Sequence, residues 1–145
     1  MKPFENIKIL TLTRVLAGPF CTMILNDLGA EVIKIEVPET GDDSRIFGPF
    51  KNSKSLYFVS INREKKSVSL NLKTAKGKKI IHDLAKVCDV VVENFRPGTM
   101  EKLGIGYEDL KKENPGLIYA SSSGFGQTGP MSPKAAYDIL VQAMG

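Results

Sequence analysis

"ILTLTRVLAGPFCTMILNDLGAEVIKIE", residues 9–36, decides the fold, because it switches hydrophobic period twice within one supersecondary unit. "IKILTL" (7–12) is a short apolar, β-branched run between polar residues, which predicts a strand. Gly18 and Pro19 suit a helix start, since a proline in the first turn gives up an N–H that has no intrahelical partner. Leu25 and Leu28 continue a helical apolar face, and Gly29 suits the left-handed position that ends a helix. "EVIKIE" (31–36) returns as a strand. The first strand shows little alternation, as expected where both faces of a parallel sheet are covered.

Downstream the alternation continues. "SVSLNL" (67–72) reads as a strand. Thr74 reads as the N-cap of a helix whose Ile80, Ile81, Leu84 and Val87 share a face. "DVVVEN" (89–94) is the next strand, Pro97 opens a short helix through about Leu103, and "GYEDLKKEN" forms another that Pro115 ends. "GLIYASSS" (116–123) is a further strand, and a new helix begins near Tyr137. Residues 37–55 carry glycines, prolines and charges without periodicity and read as a long functional or flexible loop. Strands alternating with helices predict an α/β fold with a Rossmann-like parallel sheet and flanking helices. The final helix stops at Gly145 without partners, so residues 1–145 read as the truncated N-terminal part of a larger domain.

The composition, 42% hydrophobic and 25% charged over 145 residues, is that of a globular chain with a real core. A net charge of +4 favours an anionic ligand only weakly, because solvated lysine-rich helix faces give the same sum. Cys21 and Cys88 match no metal or redox spacing and read as buried, reduced thiols. There is no secretion signal and no apolar run of spanning length, so the chain reads as soluble and cytoplasmic. His82, the one histidine, sits among lysines and reads as exposed and non-catalytic. Glu36, Asp42, Asp43, Glu93 and Asp138 form no pair whose spacing demands acid–base work, and no metal cluster is present in the sequence.

"GFGQTG" (124–129) is the literal dinucleotide fingerprint, but Pro130 and Pro133 break the helix that should start inside it. It reads as a glycine loop over a ligand. Basic residues stand at three strand ends: Arg14, Lys73 and Arg96. Each could be an ordinary exposed turn residue. They could converge on a phosphate only if their strands are neighbours, which spacing does not prove.

Taken together, "RVLAGPF", "GDDSR", "INREKKSVSLNLK", "VVENFRPGTMEKLGIGYEDL" and "SSSGFGQTGP…AAYD" resemble, in order, class III CoA-transferases, over about Ile7 to Gly145. That resemblance implies a large Rossmann-like domain completed by distant segments, an interlocked homodimer, and no metal, nucleic acid or membrane partner. It implies coenzyme A as ligand, with acyl-CoA and a small carboxylate as substrates. Carried over by position, the CoA wall is Arg14, Val15, Leu16 and Ala17, then Leu70, Asn71, Leu72 and Lys73, then Asn94, Phe95, Arg96 and Lys102. Tyr137 falls in the substrate pocket. The related α-methylacyl-CoA racemases carry a histidine base where this chain has Tyr137, and tyrosine, with a pKa of about 10, is a poor base near neutrality. The formyl-CoA branch has His and Gln in place of Arg14 and Leu16. The family's aspartate nucleophile is expected beyond Gly145, so no catalytic residue is assigned within the chain. The alternatives are a racemase-like isomerase and a non-catalytic CoA- or nucleotide-binding module.

Overall fold

The structure, a computed structural model, describes residues 1–144. In chain order the elements are β1 (Lys8–Thr11), α1 (Ala17–Asp27), β2 (Glu31–Glu36), a 3₁₀ turn (Asp43–Ile46), β3 (Phe50–Lys51) and β4 (Lys54–Ser55). Then come α2 (Leu56–Asn62), β5 (Lys66–Ser69), α3 (Ala75–Ala85), β6 (Val90–Glu93), α4 (Thr99–Leu103), α5 (Tyr107–Glu113), β7 (Ile118–Ser121) and α6 (Asp138–Met144). Five strands form one parallel sheet in the order β5-β2-β1-β6-β7, and β3 pairs with β4 in a small hairpin. The predicted α/β architecture is therefore present, including every predicted strand and helix.

Both faces of the sheet are covered, which explains the continuous apolar strands. On one face Leu10, Leu12, Ile35 and Val91 pack with Ile81, Ala85, Met100, Ile105 and Leu110 from α3 to α5. On the other, Ile9, Val32 and Val92 pack with Ala30 and the partly buried Leu25 near α1. Thr74 caps α3 by accepting from the Gly77 amide at 3.1 Å. Gly29 takes φ 112° after α1, as the left-handed terminator requires. "GFGQTG" opens no helix; the next helix is α6.

Several expectations need correcting. Residues 37–55 are not a plain loop but hold the 3₁₀ turn and the β3–β4 hairpin, and α2 follows them unannounced. Its short length and the polar Ser60 and Asn62 left no helical stripe to read. Cys88 is buried but Cys21 is exposed, because α1 buries its Gly18, Thr22, Met23 and Asn26 side instead. Leu28, expected on the packed face, is exposed for the same reason. His82 is half-buried, with Nε2 3.0 Å from the Gly104 carbonyl. No helix among the described residues is long and apolar enough to cross a membrane.

Candidate functional site

The crossovers through α1 and α3 lie on opposite faces, so the connections diverge between β1 and β6. In open α/β sheets such a switch point leaves a crevice beyond the strands' C-terminal ends. Here a small cleft of about 30 Å³, open to solvent, lies at that edge of β1, β2 and β6. Its walls include Leu12 and Arg14 after β1, Asp42 after β2, Leu70 and Leu72 after β5, and Phe95 after β6. Strand β5 ends at Ser69 rather than Leu72; beyond it Leu70 and Leu72 line the cleft while Asn71 and Lys73 are exposed.

The first turn is held from two sides. Asn94 accepts from the Arg14 amide and donates to the Arg14 carbonyl, both at 2.8 Å. Val15 follows at φ 66°, a left-handed conformation that costs a β-branched residue roughly 1–3 kcal/mol. Asp42 Oδ1 accepts from the Val15 amide at 3.2 Å. The N-cap of α1, Leu16, supplies no capping side chain, and Pro19 in the first turn has no N–H to satisfy.

Beneath that turn lies a buried ion pair. Lys34 Nζ donates to Asp42 Oδ2 at 2.7 Å and to the Thr13 carbonyl at 2.8 Å. The two side chains are 1% exposed. Burial pushes the Asp42 carboxyl up, but hydrogen bonding and attraction from Lys34, with help from Ser44, hold it below the usual range. Removing one partner of such a pair costs about 3–5 kcal/mol, because a buried charge is stranded.

Glu36, at the end of β2, accepts from Arg45 Nε and Nη2 at 2.7 Å each, from Ser67 and from the Asp42 amide. Burial opposes ionisation there too, yet the Arg45, Ser67 and amide bonds leave its carboxyl lowered. Arg45 also lies 3.8 Å from the centre of the Phe58 ring. Glu93, at the end of β6, behaves oppositely. Burial raises its carboxyl despite hydrogen bonds from Ser121 and the Phe95 amide, and Glu101 repels it further. Sequence reasoning named Glu36, Asp42 and Glu93 among the acids but not their burial, since no local spacing distinguishes them from surface acids.

The sequence-predicted wall is partly assembled. Arg14, Leu70, Leu72 and Phe95 meet in the cleft, while Val15 and Asn94 form the framework of its first turn. Leu16 and Ala17 are exposed at the start of α1. Arg14 is not a free cation: its guanidinium pairs with Asp43. Strand β1 neighbours β6, so Arg14 and Arg96 stand at adjacent strand ends, whereas Lys73 lies beyond β5, two strands from β1. Arg96, Lys73 and Lys102 are exposed and have no ion-pair partner among the described residues. Asn71 turns its side-chain oxygen to the Lys73 amide at 3.0 Å. Tyr137, 75% exposed at the start of α6, is not among the residues lining the cleft.

The sequence matches CoA-transferase family III over residues 4–145. The chain belongs to that family. Succinyl-CoA:glutarate CoA-transferase of Mus musculus is 57% identical over 145 residues, covering 99% of this chain and 33% of the relative. Acetyl-CoA:oxalate CoA-transferase of Acetobacter aceti is 55% identical, covering 98% of this chain and 36% of the relative. A crystal structure of a CAIB/BAIF family protein from Brucella suis superposes with a TM-score of 0.94 at 44% identity, covering 99% of this chain and 39% of that one. The chain thus spans about a third of the length of the curated relatives it matches. The cleft has apolar walls from Leu12, Ile35, Leu70, Leu72 and Phe95, with Arg14, Glu36 and Asp42 also lining it, while Arg96, Lys73 and Lys102 are exposed outside it.

Proposed function

We propose that this chain supplies the coenzyme A-binding edge of a CoA-transferase that moves CoA from an acyl-CoA to a carboxylate, most simply a dicarboxylate. The observation that carries this reading is the meeting of Arg14, Leu70, Leu72 and Phe95 in one cleft, three segments distant in sequence. In this reading the pantetheine arm lies along the apolar wall of Leu70, Leu72 and Phe95. Arg96, Lys73 and Lys102 meet the phosphates, where charge-assisted hydrogen bonds are strongest.

The chemistry proposed for the whole protein is nucleophilic. A carboxylate outside residues 1–145 attacks the thioester carbonyl and expels CoA thiolate, leaving a mixed anhydride. The thiolate then attacks the aspartyl carbonyl of that anhydride, releasing the donor acid and leaving an aspartyl-CoA thioester. The acceptor carboxylate next attacks that thioester, expelling CoA thiolate and forming a second mixed anhydride; the thiolate then attacks the acceptor's acyl carbonyl, giving the new acyl-CoA and freeing the aspartate carboxylate. The residues here bind and orient CoA, and Asp138 is not the nucleophile by position. The full-length protein acts as a homodimer in this reading.

Calorimetry of CoA binding to the full-length protein tests the site. Arg96→Ala is expected to weaken binding by about 1–3 kcal/mol, the worth of a lost charge-assisted contact. Unchanged affinity would remove Arg96 from the site, and no CoA binding by the wild type would refute the reading as a whole.

A further inference from the structure

The buried Lys34–Asp42 pair is not explained by packing alone. Replacing such a pair with apolar groups is often neutral or stabilising, so its presence calls for a geometric reason. Asp42 uses both oxygens inward: Oδ2 meets Lys34, and Oδ1 accepts from the Val15 amide, the Ser44 amide at 2.9 Å and the Ser44 hydroxyl at 2.7 Å. Lys34 spends its second bond on the carbonyl of Thr13. The pair therefore grips the chain at Thr13 and Val15, on both sides of Arg14. It also roots the 3₁₀ turn that carries Asp43, the partner of Arg14. Val15 is held at φ 66°, a conformation that relaxes when nothing over-determines it.

We propose that the Lys34–Asp42 pair is the positioning element of the Arg14–Val15 turn, setting how tightly the cleft holds CoA by acting through that turn. The proposal rests on the CoA-binding reading for its ligand but not for its geometry. Lys34 and Asp42 are positioning residues, since neither exposes a free polar atom to the cleft.

Two paired replacements in the full-length protein separate positioning from packing. Lys34→Met with Asp42→Asn removes both charges but keeps an oxygen facing the Val15 amide. Lys34→Met with Asp42→Leu removes that acceptor as well. The first pair loses the Lys34 bond to Thr13 but keeps an acceptor for Val15, so it is expected to lose only part of the Val15 protection and to weaken CoA by about threefold. The second is expected to speed Val15 exchange and weaken CoA about tenfold, as misplacement near a site does, while β1 and β2 amides stay protected. Equal CoA affinity and equal Val15 protection in the two pairs would overturn the proposal.

If the leucine pair loses protection across the whole sheet, Val15→Gly alone decides. With Asp42 intact, the amide at position 15 should stay protected from exchange, because the anchor and not the side chain fixes the turn. Lost protection there would overturn the proposal. Absence of CoA binding by the wild type would refute the ligand reading, while the exchange data would still test the anchor.

Discussion

Asn94→Ala should destabilise the protein by about 2–3 kcal/mol. Asn94 bridges β6 to the turn after β1 through two 2.8 Å bonds to the same peptide neighbourhood, the Arg14 amide and carbonyl. A net hydrogen bond contributes about 1 kcal/mol, and a half-buried donor or acceptor left without a partner costs more. Two bonds thus give about 2 kcal/mol, and partial desolvation of the stranded Arg14 groups supplies the rest. Asn94→Asp is the informative companion. It keeps an acceptor for the Arg14 amide but sets its second, charged oxygen against the Arg14 carbonyl, so its loss should be no smaller than that of alanine. Urea unfolding followed by circular dichroism reads both, since the chain has no tryptophan. A loss under about 0.5 kcal/mol for alanine, no larger than an ordinary surface substitution, would refute the bridge.

Gly77→Ala places a methyl 2.1 Å from the Asn71 carbonyl oxygen and 2.9 Å from its carbon. Backbone must move, so a cost of about 1–3 kcal/mol is expected in thermal unfolding, together with weaker CoA binding as residues 70–73 shift. A melting point equal to that of wild type would contradict the packing. Lys65 donates to the Pro19 carbonyl at 2.7 Å and to Asn62 at 3.0 Å; burial, then the like charge of Lys34, lowers its ammonium to about 7. Its signal in a ¹³C-methyl-lysine titration should therefore move near neutrality, and a midpoint above 10 would show the site is wetter than described. Because the Glu93 pKa is raised on folding, its protonated form favours the folded state. That contribution is fully present below the unfolded value of about 4.5 and is lost as pH rises through the folded value. Glu93→Gln should flatten that part of the melting-temperature profile; identical profiles would remove Glu93 as the cause.

The parallel sheet was legible because it is written locally. The apolar runs at 7–12, 31–36 and 89–94, the cap at Thr74 and the terminator at Gly29 each report a neighbourhood of a few residues. The segment 37–62 was not legible. Its 3₁₀ turn is stabilised by Asp42, whose partner Lys34 lies in β2, and Glu36 holds Arg45 across the same loop. Those are tertiary contacts with no periodic trace. Cys21 was misplaced because α1 buries its Gly18, Pro19, Thr22, Met23 and Asn26 side while exposing Phe20 and Ile24, with Leu28 exposed just after it, so the apolar residues do not mark the buried face.

Sequence by itself determined the fold class, because strand periodicity is carried by neighbouring residues, while the resemblance to family motifs only proposed a wall at Arg14, Leu70 to Lys73 and Asn94 to Arg96. Only the tertiary structure decided which of these meet. Pairing β1 between β2 and β6 brings the ends of different chain segments to one edge. It separates Lys73 from that centre, spends Arg14 on Asp43, and buries Lys34 against Asp42 beneath the turn. The physical reason is that proximity at a sheet edge is fixed by strand order, while the state of a charge is fixed by what lies within a few ångströms of it.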